Sequence, residues 1–153
     1  MSTKGDLNEV MSVVPDGDRA KFLPKMFGSI FPHVERFVYV FADKQLHGYS
    51  SSCGYWEFGL TGGGRPFIYP VMKNEIILVK HPFNDFAVKL PVALAGLVMS
   101  LQALCLCLEK YGPDIKSTEE RDRLIDLYHN LISDGYSIAG ALNCTKQYFE
   151  LVD

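Results

Sequence analysis

The residues with the clearest chemical potential lie in the stretch SSCGYWEFGLTGGGRPFIYP, residues 51–70. A cysteine such as Cys53 can act as a nucleophile when a neighbouring imidazole lowers its pKa. The histidines of the chain are His33, His47, His81 and His129. No protease or transferase signature surrounds Cys53. We therefore expect a free thiol in a loop, and we keep a Cys53-dependent hydrolase or transferase as an alternative.

The glycine run Gly62 to Gly64 raises the question of a phosphate-binding loop. Such loops lie between a strand and a helix, because backbone N–H groups and a helix amino terminus converge there on the anion. Here the glycines lead into the apolar run PFIYPV, which has the composition of another strand. The run therefore predicts a hairpin loop in which a residue adopts positive φ.

The sequence also argues against a metal site. It contains no C-x-x-C motif, and no two histidines lie within one helical turn. Cys105 and Cys107 are separated by about 200° around a helix axis, so they cannot chelate one ion together. We predict no metal and no cofactor.

Charge and length exclude further classes. The chain has 153 residues, which suits a single domain over residues 1–153, and its formal net charge is -3. An excess of basic residues, as in nucleic-acid-binding proteins, is missing, and so is the dense acidic surface that a DNA mimic requires. The polar start MSTKGDLNEV has no apolar core of a secretory signal, so we expect a cytoplasmic location.

The hydrophobic periodicity changes twice along the chain. A short strand in VMSVV and a short helix near Asp16 to Phe22, broken or restarted at Pro24, come first. A helix with Ser29 as its cap and Gly48 at its end follows, and then four runs of period two, YWEFGL, PFIYPV, EIILVK and DFAVKL. We predict an α+β fold, a small antiparallel sheet of three or four meandering strands with helices packed on one face.

The carboxyl-terminal part is predicted to be helical. The apolar stretch PVALAGLVMSLQALCLCL, residues 91–108, suits a central core helix better than a membrane span, because Ser100 and Gln102 interrupt it. A second helix begins with a capping box of Ser117 and Glu120 and ends at Gly135. A last helix from about Ser137 follows, and two residues in it predicted to face inward are Ile138 and Phe149.

Four ordered motifs resemble the bacterial antirestriction family typified by ArdB and KlcA, small proteins of plasmids and other mobile elements. The first is RAKFLPKMFG, residues 19–28, which is similar to the family's R-x-x-F-L-P-x-x-F-G opening. The others are GYWEF with the following GG and FIYP, then AGL with LQAL, and finally RLIDLYHNL, residues 123–131. The resemblance covers nearly the whole chain.

The resemblance implies a non-enzymatic protein that alleviates type I restriction of incoming DNA. Its implied partner is the type I restriction enzyme or a host factor linked to it, without direct binding of nucleic acid or membrane. An acidic DNA mimic is the second hypothesis for the same role. As contact residues we select polar or amphipathic side chains beside the matched motifs, namely Arg19, Glu35, Tyr49, Tyr55 and Glu57.

Overall fold

The computed structural model describes residues 10–50 and 55–152, which form an α+β fold as the sequence predicted. The α-helices are α1 (Arg19–Phe27), α2 (Phe31–Gln45), α3 (Val92–Tyr111), α4 (Thr118–Ala141) and α5 (Thr145–Val152). The strands are β1 (Met11–Val13), β2 (Trp56–Thr61), β3 (Pro66–Pro70), β4 (Ile76–Lys80) and β5 (Ala87–Pro91).

The strands form two small antiparallel sheets instead of one continuous meander. β1, β2 and β3 form the first sheet in that order, and β4 pairs with β5 in the second. The expected pairing of β3 with β4 fails because α3 covers the free edge of β3. There the Ser100 hydroxyl accepts the Ile68 N–H at 3.1 Å, so this edge has no free donor for another strand.

Close contact between α3 and β3 depends on Gly96. A Cβ at this position would lie 2.2 Å from the Tyr69 Cβ and 2.5 Å from the Ile68 carbonyl oxygen. The absence of a side chain therefore lets the helix pack directly on the strand backbone. Ser100, one turn later, can then reach the Ile68 N–H.

Helix α3 is the core helix that the apolar stretch predicted. Its residues from Ala93 to Leu101 are buried in an unbroken run. Among the described residues, one helical segment, Val92–Asp114, is long and apolar enough to span a membrane by length and composition, and 67% of its apolar window is buried in the protein. That burial is typical of a core helix surrounded by other elements.

The first two helices differ from prediction at their ends. Pro24 does not break α1, because the carbonyl that its missing N–H would have bonded belongs to exposed Ala20, where water can replace the bond. Ser29 does not cap α2, which begins at Phe31. Instead, its N–H and hydroxyl donate to the Glu120 carboxylate at 2.8 and 3.0 Å, which ties this turn to α4.

Helix α4 passes through Gly135 and ends at Ala141, so Gly135 is not the predicted stop. A Cβ on residue 135 would lie only 2.0 Å from the Tyr148 hydroxyl oxygen, so glycine leaves the room that this hydroxyl needs. The hydroxyl donates to the Ile132 carbonyl at 3.0 Å. The predicted last helix accordingly begins at Thr145, and Ile138 belongs to α4. Phe149, expected inside, is 47% exposed, because Tyr148 takes the inward position instead.

The glycine run forms the hairpin loop between β2 and β3, as predicted. Gly64 has φ +82°, and its N–H donates to the Thr61 carbonyl at 2.9 Å. The Thr61 hydroxyl donates to Asp134 at 2.6 Å, and Arg65 forms an ion pair with the same carboxylate. The loop is thus held against α4 by polar contacts.

Candidate functional site

Four of the five predicted contact residues lie in one surface region around Trp56. We call Arg19, Glu35, Tyr39, Tyr49, Tyr55 and Trp56 the aromatic cluster. Helix α1 supplies the arginine, α2 the glutamate and the first tyrosine, and the beginning of β2 supplies the tryptophan. Trp56 itself is buried.

Arg19 links α1 to the start of β2. Its guanidinium donates to the Tyr55 hydroxyl at 2.5 Å and to the Trp56 carbonyl, and its Cζ lies 4.4 Å from the centre of the Phe58 ring. Asp16 forms an ion pair with it at 3.5 Å. Its side chain is 18% exposed, so most of its hydrogen-bonding capacity is used within the protein. Tyr55, in contrast, is 50% exposed.

The indole of Trp56 joins the other members. Its N–H donates to the Tyr49 hydroxyl at 3.3 Å, and the rings of Tyr49 and Tyr39 meet it edge-on, with centroids 5.6 and 5.1 Å away. The Tyr39 hydroxyl then donates to Glu35 at 3.1 Å. Burial, and next the Glu35 carboxylate, raises the pKa of Tyr39 above its ordinary value, so the phenol keeps its proton and remains a donor.

Tyr39 is a member that sequence analysis missed. It follows Glu35 by four residues on α2, a spacing that brings two side chains together on a helix surface. That spacing was the available signal. The contact of Tyr39 with Trp56 has no local signal in the sequence.

Glu57 lies apart from the aromatic cluster. Consecutive residues of a strand point to opposite faces, so Glu57 lies on the other side of β2 from Trp56. Its register partner is Tyr69. Burial, with a smaller effect of the Glu57 charge, raises the pKa of Tyr69 to about 12.

One groove includes a residue of the aromatic cluster, and a second groove adjoins the first. The first, of about 580 Å³, contains Tyr49 and runs to Phe86 near β5. The second, of about 800 Å³, lies between the β4–β5 hairpin and helices α2 to α5, and we call it the hairpin groove. The two grooves share Lys44, Gln45 and Lys80, so the surface is continuous from Tyr49 into the hairpin groove.

Two of the described cysteines, Cys107 and Cys144, are buried. Cys53 lies outside the described residues. Burial raises the pKa of the Cys107 thiol to about 11 and raises that of Cys144, which disfavours thiolates there. Within residues 10–50 and 55–152, no group of three or more His, Cys, Asp or Glu side chains has the geometry to hold a metal ion.

A short acidic row on α4 can be compared with the charge density of DNA. Glu119, Asp122 and Asp126 line one shallow groove, together with Arg65 and Arg123. The three carboxylates span about 10 Å of helix. A duplex carries about six charges over that length, because it has one charge per ~1.7 Å. With two arginines beside it, the row falls well short of that density.

Comparison with known proteins gives a likeness to a solved structure. No family model matches the chain, and no curated protein does. A solved structure of the KlcA and ArdB proteins matches it with a TM-score of 0.67 and 27% sequence identity, over 90% of this chain and 93% of that one. The chain has an ArdB/KlcA-type fold. The matched proteins are described as showing a novel fold and antirestriction activity against type I DNA restriction systems in vivo but not in vitro.

The motifs that carry the sequence resemblance are structural parts of the ArdB/KlcA-type fold. Phe22, Leu23 and Phe27 of the first motif are buried on the inner side of α1. Trp56 and Phe58 of the second are also buried. In the third, Gly96 allows α3 to pack on β3. These motifs therefore specify the packing of the fold. Exposure and charge, and not membership of a motif, identify the residues that could contact a partner.

Proposed function

We propose that this protein alleviates type I restriction of incoming DNA. The observation that supports the proposal is the likeness to the KlcA and ArdB structure, which extends over 90% of the chain. On this proposal the protein is not an enzyme. It acts in the cytoplasm, where incoming DNA meets the restriction enzyme.

We further propose that it acts by contact with another protein and not by imitating DNA. Its formal net charge is only -3, and the acidic row on α4 is short and neighboured by arginines. The partner is the type I restriction enzyme or a host factor linked to it. The matched proteins act in vivo but not in vitro, which favours a route that needs a cellular component.

The aromatic cluster supplies part of the proposed contact surface. Tyr55 is half exposed and is fixed by Arg19, and Tyr49 continues the surface into the first groove. Aromatic residues held in one conformation suit protein contacts, because little side-chain entropy is lost on binding. Glu57 is proposed as a separate contact on the opposite face of β2.

A phage-plating assay tests the proposed function. Unmodified phage is plated on cells with a type I system, with and without the gene, and on cells that lack the system as the control. We expect the gene to raise plating only in the restricting host. Equal plating with and without the gene in that host would reject the proposed function.

The mechanism is tested with purified components. The protein is added to a type I restriction enzyme and unmodified DNA at several salt concentrations. A DNA mimic would inhibit cleavage and lose its effect as salt screens the charges. We expect no such salt-sensitive inhibition. If it is observed, the proposed mechanism of protein contact is rejected in favour of DNA mimicry.

A further inference from the structure

The β4–β5 hairpin presents an exposed aromatic residue at its tip. Phe83 is 91% exposed, while the neighbouring His81 is buried. The His81 Nδ1 accepts the N–H groups of Phe83 and Asn84 at 3.1 and 2.9 Å, and its ring lies 4.8 Å from that of Phe86. These hydrogen bonds hold the backbone of the tip in one conformation in the free protein. Binding of a partner would therefore not include the entropy cost of ordering this loop.

The hairpin groove beside this tip is mostly apolar. Its partly exposed apolar lining residues include Phe41 of α2, Leu106 of α3, Ile132 of α4 and Val152 of α5, and Phe83 lies at its border. Its volume of about 800 Å³ is in the range of sites that enclose several side chains of a ligand. An apolar surface of this kind, with an aromatic residue beside it, is typical of interaction sites.

A buried amide pair adds specific polar groups to this groove. Gln45 and Gln102 donate to each other's carbonyl oxygens at 2.6 and 3.1 Å, and Gln45 is only 5% exposed. A carboxamide has two N–H donors and an oxygen with two lone pairs, so the reciprocal pair leaves one donor and one acceptor site on each side chain. Gln102 is partly exposed and can present its remaining sites to the groove. A peptide backbone, with one donor and one acceptor per residue, matches these sites, whereas a hydrocarbon chain does not.

Charge gives the groove a direction. Lys44 and Lys80 border it at the hairpin side, whereas Asp43 and Asp85 line only the adjoining first groove. Within the described residues neither lysine forms an ion pair. Glu109 lies seven residues beyond Gln102 on α3, about 10 Å along the helix axis. A segment with acidic residues at its lysine end therefore fits the charges of the groove.

We propose that the hairpin groove binds an extended segment of a partner protein, apolar along most of its length and acidic at the end near Lys44 and Lys80. Phe83 packs on the same segment from the hairpin tip. The proposal rests on the proposed function for the identity of the partner, which would be the protein contacted during antirestriction. The site itself is defined by the geometry of this chain.

A peptide titration tests the groove without any cellular activity. The probe is acetyl-Leu-Leu-Ile-Asp-Asp-amide, and its matched control is acetyl-Leu-Leu-Ile-Lys-Lys-amide. We expect the acidic peptide to shift the side-chain amide resonances of Gln45 and Gln102 and the backbone resonance of Phe83. The shifts should be weaker with the lysine peptide and should decrease with salt.

Three results of this titration would overturn the proposal. The first is no shift at these residues, and the second is an equal response to both peptides. The third is a shift of the same resonances on dilution of the protein alone, which would assign the groove to a second copy of the chain.

A variant series connects the groove to antirestriction. Phe83→Ser and Lys80→Glu change exposed residues at the groove, and Phe149→Ser and Lys89→Glu are matched changes of exposed residues outside it. We expect the groove variants to lower alleviation by about tenfold or more, as for loss of an anchoring residue, and the controls to keep it. Thermal unfolding verifies that all four remain folded.

The two proposals fail differently in this series. Full alleviation by both groove variants would reject the groove and leave the proposed function intact. If the unchanged protein gives no alleviation, the proposed function is rejected, and the peptide titration still decides whether the groove binds such a segment.

Discussion

At the scale of single residues, Arg19 combines three roles. It is the first residue of α1, it donates to the carbonyl of Trp56, and it lies over the ring of Phe58. A guanidinium can do all this at once because it is planar and carries five donors in a fixed arrangement. The first position of the family-like motif is thus explained by packing between α1 and β2.

Replacing this guanidinium should destabilise the fold. In Arg19→Met the Trp56 carbonyl and the Tyr55 hydroxyl lose a charged donor, so we expect the free energy of unfolding to fall by about 1–3 kcal/mol. Urea unfolding measures the change. The control is Lys21→Met, a cation-to-Met change at an exposed position of the same helix, which should stay within about 0.5 kcal/mol of the unchanged protein. Equal stability of the two variants would contradict the role given to Arg19.

Glu120 shows what sequence can and cannot predict for one residue. One of the two contacts of the predicted capping box is present, because the Ser117 hydroxyl accepts the Glu120 N–H at 3.1 Å. The Glu120 carboxylate, however, binds Ser29, which is 91 residues away along the chain. The backbone contact is local and has a sequence pattern, whereas the long-range contact depends on the packing of α4 against the turn before α2.

At the scale of elements, Gly135 decides how α4 and α5 pack. A glycine inside a helix is usually a weakness, and replacing it with alanine gains about 1 kcal/mol when the site is open. At Gly135 the new Cβ would lie 2.0 Å from the Tyr148 hydroxyl and 2.4 Å from its Cζ. Steric overlap should therefore reverse the usual sign.

We expect Gly135→Ala to lower the free energy of unfolding by about 1–3 kcal/mol, the range for overpacking a tight site. Gly140→Ala is the matched control in the same helix. Its Cβ would meet nothing closer than the Thr145 Oγ1 at 4.0 Å, so it should be neutral or stabilising. Urea unfolding of both variants gives the comparison, and stabilisation by both would show that α5 can move away from α4 at little cost.

The ends of elements were the least predictable feature of the fold. Strand positions and the core helix follow from periodicity and composition, because burial imposes these patterns on the sequence. The helix ends predicted at Pro24 and Gly135 were wrong, because the surroundings override the usual effect of each residue. At Pro24, solvent can bond the exposed Ala20 carbonyl, and at Gly135 the Tyr148 ring fills the space beside the glycine. Strand pairing was likewise decided by α3, through the contact of Ser100 with Ile68.

At the scale of the whole molecule, the surface combines parts that are distant in sequence. The aromatic cluster joins α1, α2 and β2, and the hairpin groove joins β4–β5 with four helices. Sequence identified four members of the cluster as polar or amphipathic residues beside the motifs. It gave no sign of the groove, since partly exposed lining residues such as Leu106 and Ile132 look like ordinary core residues in a sequence.

The buried phenols and thiols give the whole fold a specific limit at alkaline pH. Burial raises the pKa of Tyr69 and of Tyr128 to about 12, raises that of the Cys107 thiol to about 11, and raises that of Tyr148 as well. In the unfolded chain these groups release their protons near the ordinary values, 9 for a thiol and 10 for a phenol. The fold therefore holds protons that the unfolded chain loses.

The sign of the pH dependence follows from this difference. The stabilisation of the fold by these protonated groups is fully present below pH 9 and is lost as the pH rises from 9 through the raised pKa values. In that range only the unfolded chain releases the protons, and this release lowers the free energy of the unfolded chain. We expect the urea midpoint to fall between pH 9 and 12. Tyr148→Phe, which removes one buried phenol together with its bond to Ile132, should be less stable at pH 8 but should lose less stability over that pH range. A midpoint independent of pH from 9 to 12, or an equal slope in Tyr148→Phe, would contradict this account, since each retained proton contributes up to about 1.4 kcal/mol per pH unit.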